Sequence, residues 1–209
     1  MSKRLLIFVG IFDVLALLIL TPHVDRFSGG YLLLSTILAV IQSVVSSRFA
    51  KSRDIQRLFY SKDIDPTWDR WTAVLGLAEL AVFFEYAHWR PVSQLLLPSL
   101  QTTGLLLCLL GIIWLLWVDA YLVREFASHH LHGIPMTTGP YRYVRHPRYT
   151  GLFATRLSLP LIFGSVVAWI LAIAWFFLIR RRAHLEERYL KTQFGQTYTD
   201  YALHTMRLP

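Results

Sequence analysis

A polar segment rich in aromatic and cationic side chains stands between two apolar stretches of the chain. It runs from Gly139 to Gly151 and holds two prolines, two glycines, three tyrosines, three arginines and one histidine. Because prolines fix backbone torsions and remove amide donors, we expect this connector to be stiff and irregular. Irregular backbone among membrane helices is tolerated only where it lines a polar cavity, so the connector is expected to form the wall of a ligand site.

A second polar segment, Arg180–Leu190, follows the next apolar stretch and carries two adjacent carboxylates, Glu186 and Glu187. Neighbouring residues on a helix point about 100° apart, so at most one carboxylate is expected to face a core. The other can pair with Arg182 or Lys191 at helical spacing. A pocket between the two segments would suit a ligand with an aromatic base, hydroxyls and a cationic amine. The alternative interpretation is a basic patch that binds lipid headgroups.

The order of these residues resembles the signature of the isoprenylcysteine carboxyl methyltransferase family, which is grouped with membrane phospholipid methyltransferases. The resemblance rests on Gly139-Pro140-Tyr141-Arg142-Tyr143-Val144-Arg145-His146-Pro147-x-Tyr149-x-Gly151, on Glu186-Glu187, on Phe194-Gly195-x-x-Tyr198-x-x-Tyr201 and on Leu208-Pro209. It covers about the last 80 residues in order. The first 120 residues match only as a generic set of spans.

The resemblance implies an integral-membrane enzyme that transfers a methyl group from S-adenosylmethionine to a lipophilic acceptor. The acceptor group stays open between a prenylcysteine-like or other lipid carboxylate, an amine and a thiol. The implied partners are membrane lipids and a lipophilic or lipidated substrate, with no nucleic acid and no metal. By position, the resemblance assigns Arg145 and His146 as catalytic residues. It assigns the cofactor site to Tyr141, His146, Pro147, Tyr149, Gly151, Glu186 and Glu187.

Two positions depart from the family pattern. The family often has a histidine a few residues ahead of Gly-Pro-Tyr, and here His132 stands seven residues ahead of Gly139. His204 stands where the family tends to place an arginine. If that arginine orients a substrate carboxylate, the acceptor of this protein differs from a prenylcysteine.

Two other functions compete with methyl transfer. Membrane sterol reductases look similar in the C-terminal region but bind NADPH, and the adjacent glutamates disfavour them because a nicotinamide dinucleotide phosphate would prefer arginine. A non-catalytic lipid-binding protein would have no cofactor affinity.

The rest of the chain supplies the helices that must position these segments. Its 209 residues are 55% hydrophobic and only 16% charged, against about 25% charge in soluble domains. This composition excludes a disordered chain and an ordinary soluble enzyme. The net charge of +8 then favours anionic lipid over nucleic acid as a partner. Four spanning helices are predicted at Leu5–Leu20, Tyr31–Val45 (after a Ser28-Gly29-Gly30 turn), Trp71–Trp89 and Leu95–Val118.

The fifth apolar stretch, Gly151–Ile179, is too long for one span and too short for two. Pro160 and Phe163-Gly164-Ser165 divide it, so we predict a hairpin whose first helix, Gly151–Ile162, is too short to cross. With the amino terminus inside, 18 of the 21 Lys and Arg residues fall in cytoplasmic segments, including the polar loop Arg48–Arg70. A multi-pass membrane protein with both termini in the cytoplasm is therefore predicted.

The predicted fold is an all-α integral membrane protein with a single domain over residues 1–209. Spanning helices occupy residues 1–120, and residues 121–209 hold the interfacial connector, the hairpin and a cytoplasmic C-terminal helix.

Charged residues within apolar stretches are costly in a membrane, so they are expected to face the bundle interior. They are Asp13, Glu79, Glu85 and Arg156. Pairing of Arg156 with one of the acids is favoured over a contact with substrate.

Three histidines, His129, His130 and His132, lie close together in the sequence. Adjacent helical histidines diverge and no cysteine or carboxylate pattern accompanies these, so no metal site is predicted. Tryptophans at the predicted span ends fit an interfacial belt without a catalytic role: Trp68, Trp71 and Trp89.

Overall fold

The computed structural model describes residues 2–21, 24–49, 64–89, 98–131 and 135–207. Within these ranges the chain is almost entirely helical, as the sequence predicts. The helices are α1 Ser2–Leu20, α2 Arg26–Phe49, α3 Trp68–Ala78, α4 Leu80–His88 and α5 Pro98–Leu131, then a 3₁₀ helix Gly139–Arg142, α6 Pro147–Phe163 and α7 Val166–Leu203.

One helix in the described part of the chain, Pro98–Glu125 within α5, is long and apolar enough to cross a bilayer. Val9–Leu20 and Arg26–Ile41 are shorter apolar helices. Four spanning helices are not confirmed and stay a prediction. The third predicted span is divided at Glu79, where a tightened turn separates α3 from α4. Most of the predicted loop Arg48–Arg70 lies outside the described residues.

The predicted turn at Ser28-Gly29-Gly30 is wrong, because these residues lie in the first turns of α2. Asp25 stands just ahead of the helix. Its carboxylate accepts hydrogen bonds from the amides of Phe27 at 3.0 Å and Ser28 at 2.8 Å. A side-chain acceptor at this position satisfies the free amides of a helix start, so the helix begins before the glycines.

The predicted division between residues 120 and 121 falls inside α5, which continues to Leu131. No proline or glycine stands between Tyr121 and Leu131, so no helix-breaking residue ends the helix earlier.

The hairpin is confirmed as a helix break at Gly164 and Ser165. Gly164 has φ 56° and ψ 27°, a left-handed conformation that glycine adopts without steric cost. The Ser165 hydroxyl oxygen then accepts a hydrogen bond from the Ala168 amide at 2.9 Å and caps α7. Glu85 of α4 accepts from two further amides at this helix start, both at 3.1 Å, which fixes the turn against α4.

The first hairpin helix is longer than predicted because α6 begins at Pro147 instead of Gly151. Proline suits the first position of a helix, where its missing N–H would be unpaired in any case. The 17 residues of α6 extend about 25 Å, which is still shorter than a bilayer core of about 30 Å.

Helix α6 packs against both α5 and α7. Small residues of α5 allow this close approach. A Cβ atom at Gly104 would lie 2.7 Å from the Ile162 side chain, and one at Gly111 would lie 3.0 Å from Thr155. Near the hairpin turn the Phe163 ring packs at its edge against aromatic rings of α2 and α4, with ring centroids 5.2–5.5 Å apart.

Helix α7 continues through the charged segment Arg180–Leu190, as predicted, and bends at Gly195. Gly195 has φ 55° and ψ −127°, which only glycine adopts readily. The bend is followed by the tail, residues 196–207, whose end runs beside the connector: Met206 forms an isolated bridge with Val144. The open end of the hairpin, opposite its turn at Gly164, therefore meets the connector and the tail at one end of the bundle.

Candidate cofactor site

The connector is irregular only in its first half. Gly139 has φ 60°, and a Cβ atom there would overlap the ring of Tyr121, so this position requires glycine. His146 precedes the first residue of α6, Pro147. The prediction of irregular backbone from Gly139 to Gly151 is therefore wrong for its second half, where Tyr149 and Gly151 are helical.

His146 lies between the two glutamates of α7. Its Nδ1 atom is 3.6 Å from a carboxylate oxygen of Glu186, and its Nε2 atom is 3.4 Å from one of Glu187. The prediction that at most one glutamate faces inward is wrong, because the imidazole presents one ring nitrogen to each. Carboxylates that diverge along the helix can thus flank a single ring.

Each glutamate also has partners of its own. Glu186 accepts a hydrogen bond from the Tyr149 hydroxyl and pairs with Arg182 one turn earlier, at 2.9 Å. The predicted pairing with Arg182 is confirmed, although it lies within the cluster rather than on the surface. The carboxylate of Glu187 lies 3.3 Å from the Arg145 guanidinium and 3.4 Å from that of Arg207.

These contacts set the ionisation of the cluster. Burial alone would lower the pKa of His146, but its interactions with Glu186 and Glu187 outweigh burial and raise that pKa. Burial alone would raise the pKa of both carboxyls. His146 and the neighbouring arginines nevertheless hold the pKa of Glu186 below its ordinary value and that of Glu187 at about 2. The arrangement favours an imidazolium between two carboxylates near neutral pH.

Arg145 joins the connector to the tail. Its guanidinium donates hydrogen bonds to the carbonyl oxygens of Ala202 and of Thr205, the latter at 3.1 Å, while it also faces Glu187. Its backbone amide donates to the Met206 carbonyl at 3.0 Å. The donors of Arg145 are thus directed at protein groups that fix the tail over the cluster.

The other residues assigned by the resemblance pack rather than converge on His146. The carbonyl of Pro147 accepts a hydrogen bond from the Trp114 indole at 2.7 Å. Gly151 is buried against α5, where a Cβ atom would lie 2.7 Å from the Leu115 side chain. Tyr141 packs on an apolar cluster of α5, and its carbonyl accepts from Tyr201 at 2.6 Å.

Trp68, predicted to belong to an interfacial belt, lies against the cluster in the structure. Trp68, at the start of α3, lies with its ring centroid 5.8 Å from that of Tyr149, and the Arg182 guanidinium stands 5.7 Å from the Trp68 ring. Asp65 fixes this helix start to α7 through Arg181, at 3.2 Å. The Asp-Pro-Thr-Trp sequence marks a helix start, but it gives no indication of contact with residues as distant in sequence as Tyr149 and Arg182.

The predicted pairing of Arg156 is confirmed, and its partner is Glu79. The guanidinium lies 3.0 Å from one carboxylate oxygen, and the other oxygen accepts from the Trp175 indole at 3.2 Å. Glu85 caps α7, and Asp13 accepts a hydrogen bond from the Thr36 hydroxyl at 2.8 Å. No group of three metal-ligating side chains occurs in the described ranges. The side chains of His129 and His130, and all of His132, lie outside the described residues.

One family model and two curated relatives are similar to this chain in sequence. Residues 100–197 match the family model described as phospholipid methyltransferase. Methanethiol S-methyltransferase 2 of Bradyrhizobium diazoefficiens is 28% identical over 188 residues, which span 81% of this chain and 68% of that protein. Protein-S-isoprenylcysteine O-methyltransferase of Schizosaccharomyces pombe is 38% identical over 68 residues, which span 32% of this chain and 28% of that relative. No solved structure matches the chain.

The helical fold and the matched segment define a methyltransferase of the membrane-associated type. Over the matched segment, the resemblance to phospholipid methyltransferases and to isoprenylcysteine carboxyl methyltransferases is confirmed. The matched segment includes His146, Tyr149, Glu186 and Glu187, all of which lie in one cluster.

Proposed function

We propose that this protein is an integral-membrane methyltransferase that binds S-adenosylmethionine at the His146–Glu186–Glu187 cluster and methylates a lipophilic acceptor. The observation that carries the proposal is that the family motif and the glutamate pair, about 40 residues apart in sequence, lie within ion-pair distance of each other. The acceptor would enter laterally from the bilayer, and the cofactor from the cytoplasm.

The residues of the cluster fit the amino-acid end of the cofactor. That end carries an amine and a carboxylate on one carbon, so it needs acidic and basic groups side by side. Glu186 and Glu187 stand among four cationic groups, namely His146, Arg145, Arg182 and Arg207. S-adenosylmethionine, when bound, supplies an electrophilic methyl group. The protein would position it and exclude water from a site with fixed charges.

We favour a thiol over a carboxylate as the acceptor group. The match to the methanethiol S-methyltransferase extends over 81% of this chain, so it includes much of the region ahead of the connector. The match to the isoprenylcysteine enzyme spans only 32%.

The state of His146 bears on how a thiol would react. A raised pKa favours the imidazolium, which can donate a hydrogen bond but cannot accept a proton. Cationic surroundings lower the pKa of a thiol from its ordinary value of about 8.5. The thiol would therefore lose its proton to water instead of to His146, and the cationic groups of the cluster would stabilise the thiolate that remains.

Binding and turnover experiments test the proposal in sequence. The detergent-solubilised protein should bind S-adenosylhomocysteine in a calorimetric titration and should not bind NADPH. Labelled S-adenosylmethionine should then transfer its methyl group to an alkanethiol or a thiol in membrane lipid extract. Transfer to a prenylcysteine carboxylate or a lipid amine instead would correct the acceptor. Binding of NADPH without a response to S-adenosylhomocysteine would overturn the proposal.

A further inference from the structure

Two buried polar atoms beside the cluster have no hydrogen-bond partner among the described residues: the Tyr198 hydroxyl and the Nε2 atom of His146. Tyr198 is 2% exposed and has no other polar side-chain atom, so its polar group is entirely unsatisfied. His146 Nε2 faces Glu187 at 3.4 Å, but without the geometry of a hydrogen bond. An unpaired buried polar group is costly in a folded protein, so each requires an explanation.

The tail helix places Tyr198 at the cluster. Tyr198 lies one turn before Ala202 on the same helix face, and Thr205 follows just beyond the end of this helix at Leu203. The carbonyls of Ala202 and Thr205 accept hydrogen bonds from Arg145, which also faces Glu187 at 3.3 Å. Tyr201, one turn away from Tyr198, differs from it because its hydroxyl donates to the Tyr141 carbonyl at 2.6 Å.

The Tyr198 hydroxyl is suited to donate a hydrogen bond. Burial raises its pKa above the ordinary value, and the negative charge of Glu187 raises it further, whereas Arg145 opposes the shift. The hydroxyl therefore keeps its proton at neutral pH. His146 Nε2 also carries a proton when the imidazole is charged. Both donors lie beside Glu187, because its charge acts on the Tyr198 hydroxyl and its carboxylate lies 3.4 Å from His146 Nε2.

The charges around Glu187 leave room for an added anion. Three cationic groups, on Arg145, Arg207 and His146, lie within 3.4 Å of its carboxylate. A ligand carboxylate beside this group would be attracted by the net positive charge, while an amine on the same carbon could face the glutamates.

We infer that the Tyr198 hydroxyl and His146 Nε2 form the binding subsite for the carboxylate of the methyl donor's amino-acid end, with the tail contributing directly to the cofactor site. The inference rests on the proposed function, because it assigns one group of the proposed cofactor to these two donors. It adds a tail residue that the sequence motif alone does not assign to the site.

Two ligands that differ only in the carboxylate test the contact between that group and the Tyr198 hydroxyl. S-adenosylhomocysteine carries both amine and carboxylate, and its decarboxylated analogue keeps the amine only. Wild type should bind S-adenosylhomocysteine more tightly by about tenfold or more, because a hydrogen bond to a charged group is among the stronger kinds. Tyr198→Phe should lose about tenfold in affinity for S-adenosylhomocysteine and leave the affinity for the analogue unchanged. Calorimetry on the detergent-solubilised full chain measures all four values.

Tyr201→Phe serves as the matched control, because it removes a hydroxyl whose partner is the Tyr141 carbonyl. It should lower the melting temperature without changing the ratio of the two affinities. If Tyr198→Phe weakens both ligands equally, or neither, the inference is wrong while the proposed function stands. Should Tyr198→Phe not fold, equal affinity of wild type for the two ligands would overturn the subsite. Failure of wild type to bind either ligand would overturn the proposed function and this inference with it.

Discussion

Glutamine at position 187 tests whether electrostatics hold the cluster together. The substitution Glu187→Gln preserves shape and mimics the protonated carboxyl. The pKa of Glu187 is about 2, against an ordinary value of 4.5. Each pKa unit corresponds to about 1.36 kcal/mol, so the ionised carboxylate contributes on the order of 3 kcal/mol at neutral pH. Its side chain is only 8% exposed, so solvent screening removes little of this contribution.

Thermal unfolding in detergent measures the effect. At neutral pH, Glu187→Gln should lower the melting temperature by roughly 6–12 °C, the shift expected for about 3 kcal/mol in a chain of this length. A depressed carboxyl pKa stabilises the fold fully above pH 4.5, and this stabilisation is lost as the pH falls through about 2. The difference between wild type and variant should therefore shrink as the pH falls from 5 to 3.

Glu125→Gln is the matched control. Glu125 pairs with Arg124 at 2.9 Å, and the side chains are 33% and 75% exposed, so the change should cost under about 1 kcal/mol. If Glu187→Gln melts like wild type at neutral pH, or if its deficit persists undiminished at pH 3, the reasoning from the ion-pair geometry is refuted.

Affinity for S-adenosylhomocysteine should fall in both Glu186→Gln and Glu187→Gln, because both carboxylates face His146.

Three further predictions concern packing, the internal ion pair and topology. Gly151→Ala should destabilise the fold by about 1–3 kcal/mol in thermal unfolding, because its Cβ would lie 2.7 Å from a leucine of α5. The control Gly76→Ala should be neutral or stabilising, because no atom lies within 4 Å of the added Cβ. Arg156→Met should cost about 3–5 kcal/mol by leaving Glu79 unpaired, and adding Glu79→Gln should restore most of that loss; a double variant as unstable as the single one would contradict this. Reporter fusions at both termini should read cytoplasmic, since the predicted topology assigns 18 of the 21 basic residues to that side. An external signal at either end would mean that a span is gained or lost.

Local sequence was sufficient to predict the helix break of the hairpin. Gly164 and Ser165 break the helix through their own backbone and capping preferences, to which Glu85 of α4 adds two hydrogen bonds that the local sequence does not reveal. The same local preferences misled the prediction at Ser28-Gly29-Gly30. There the capping carboxylate of Asp25 begins α2 ahead of the glycines.

The sequence by itself determined which chemical groups are present: the motif around His146, the glutamate pair and the excess of apolar residues. Only the tertiary structure decided how they meet. Both glutamates face His146 because the imidazole has two ring nitrogens, which helical spacing alone does not reveal. Trp68 reaches Tyr149, and Arg145 reaches the tail carbonyls, because helices distant in sequence pack side by side. Such contacts depend on the relative positions of whole helices, and residue spacing within one helix carries no information about those positions.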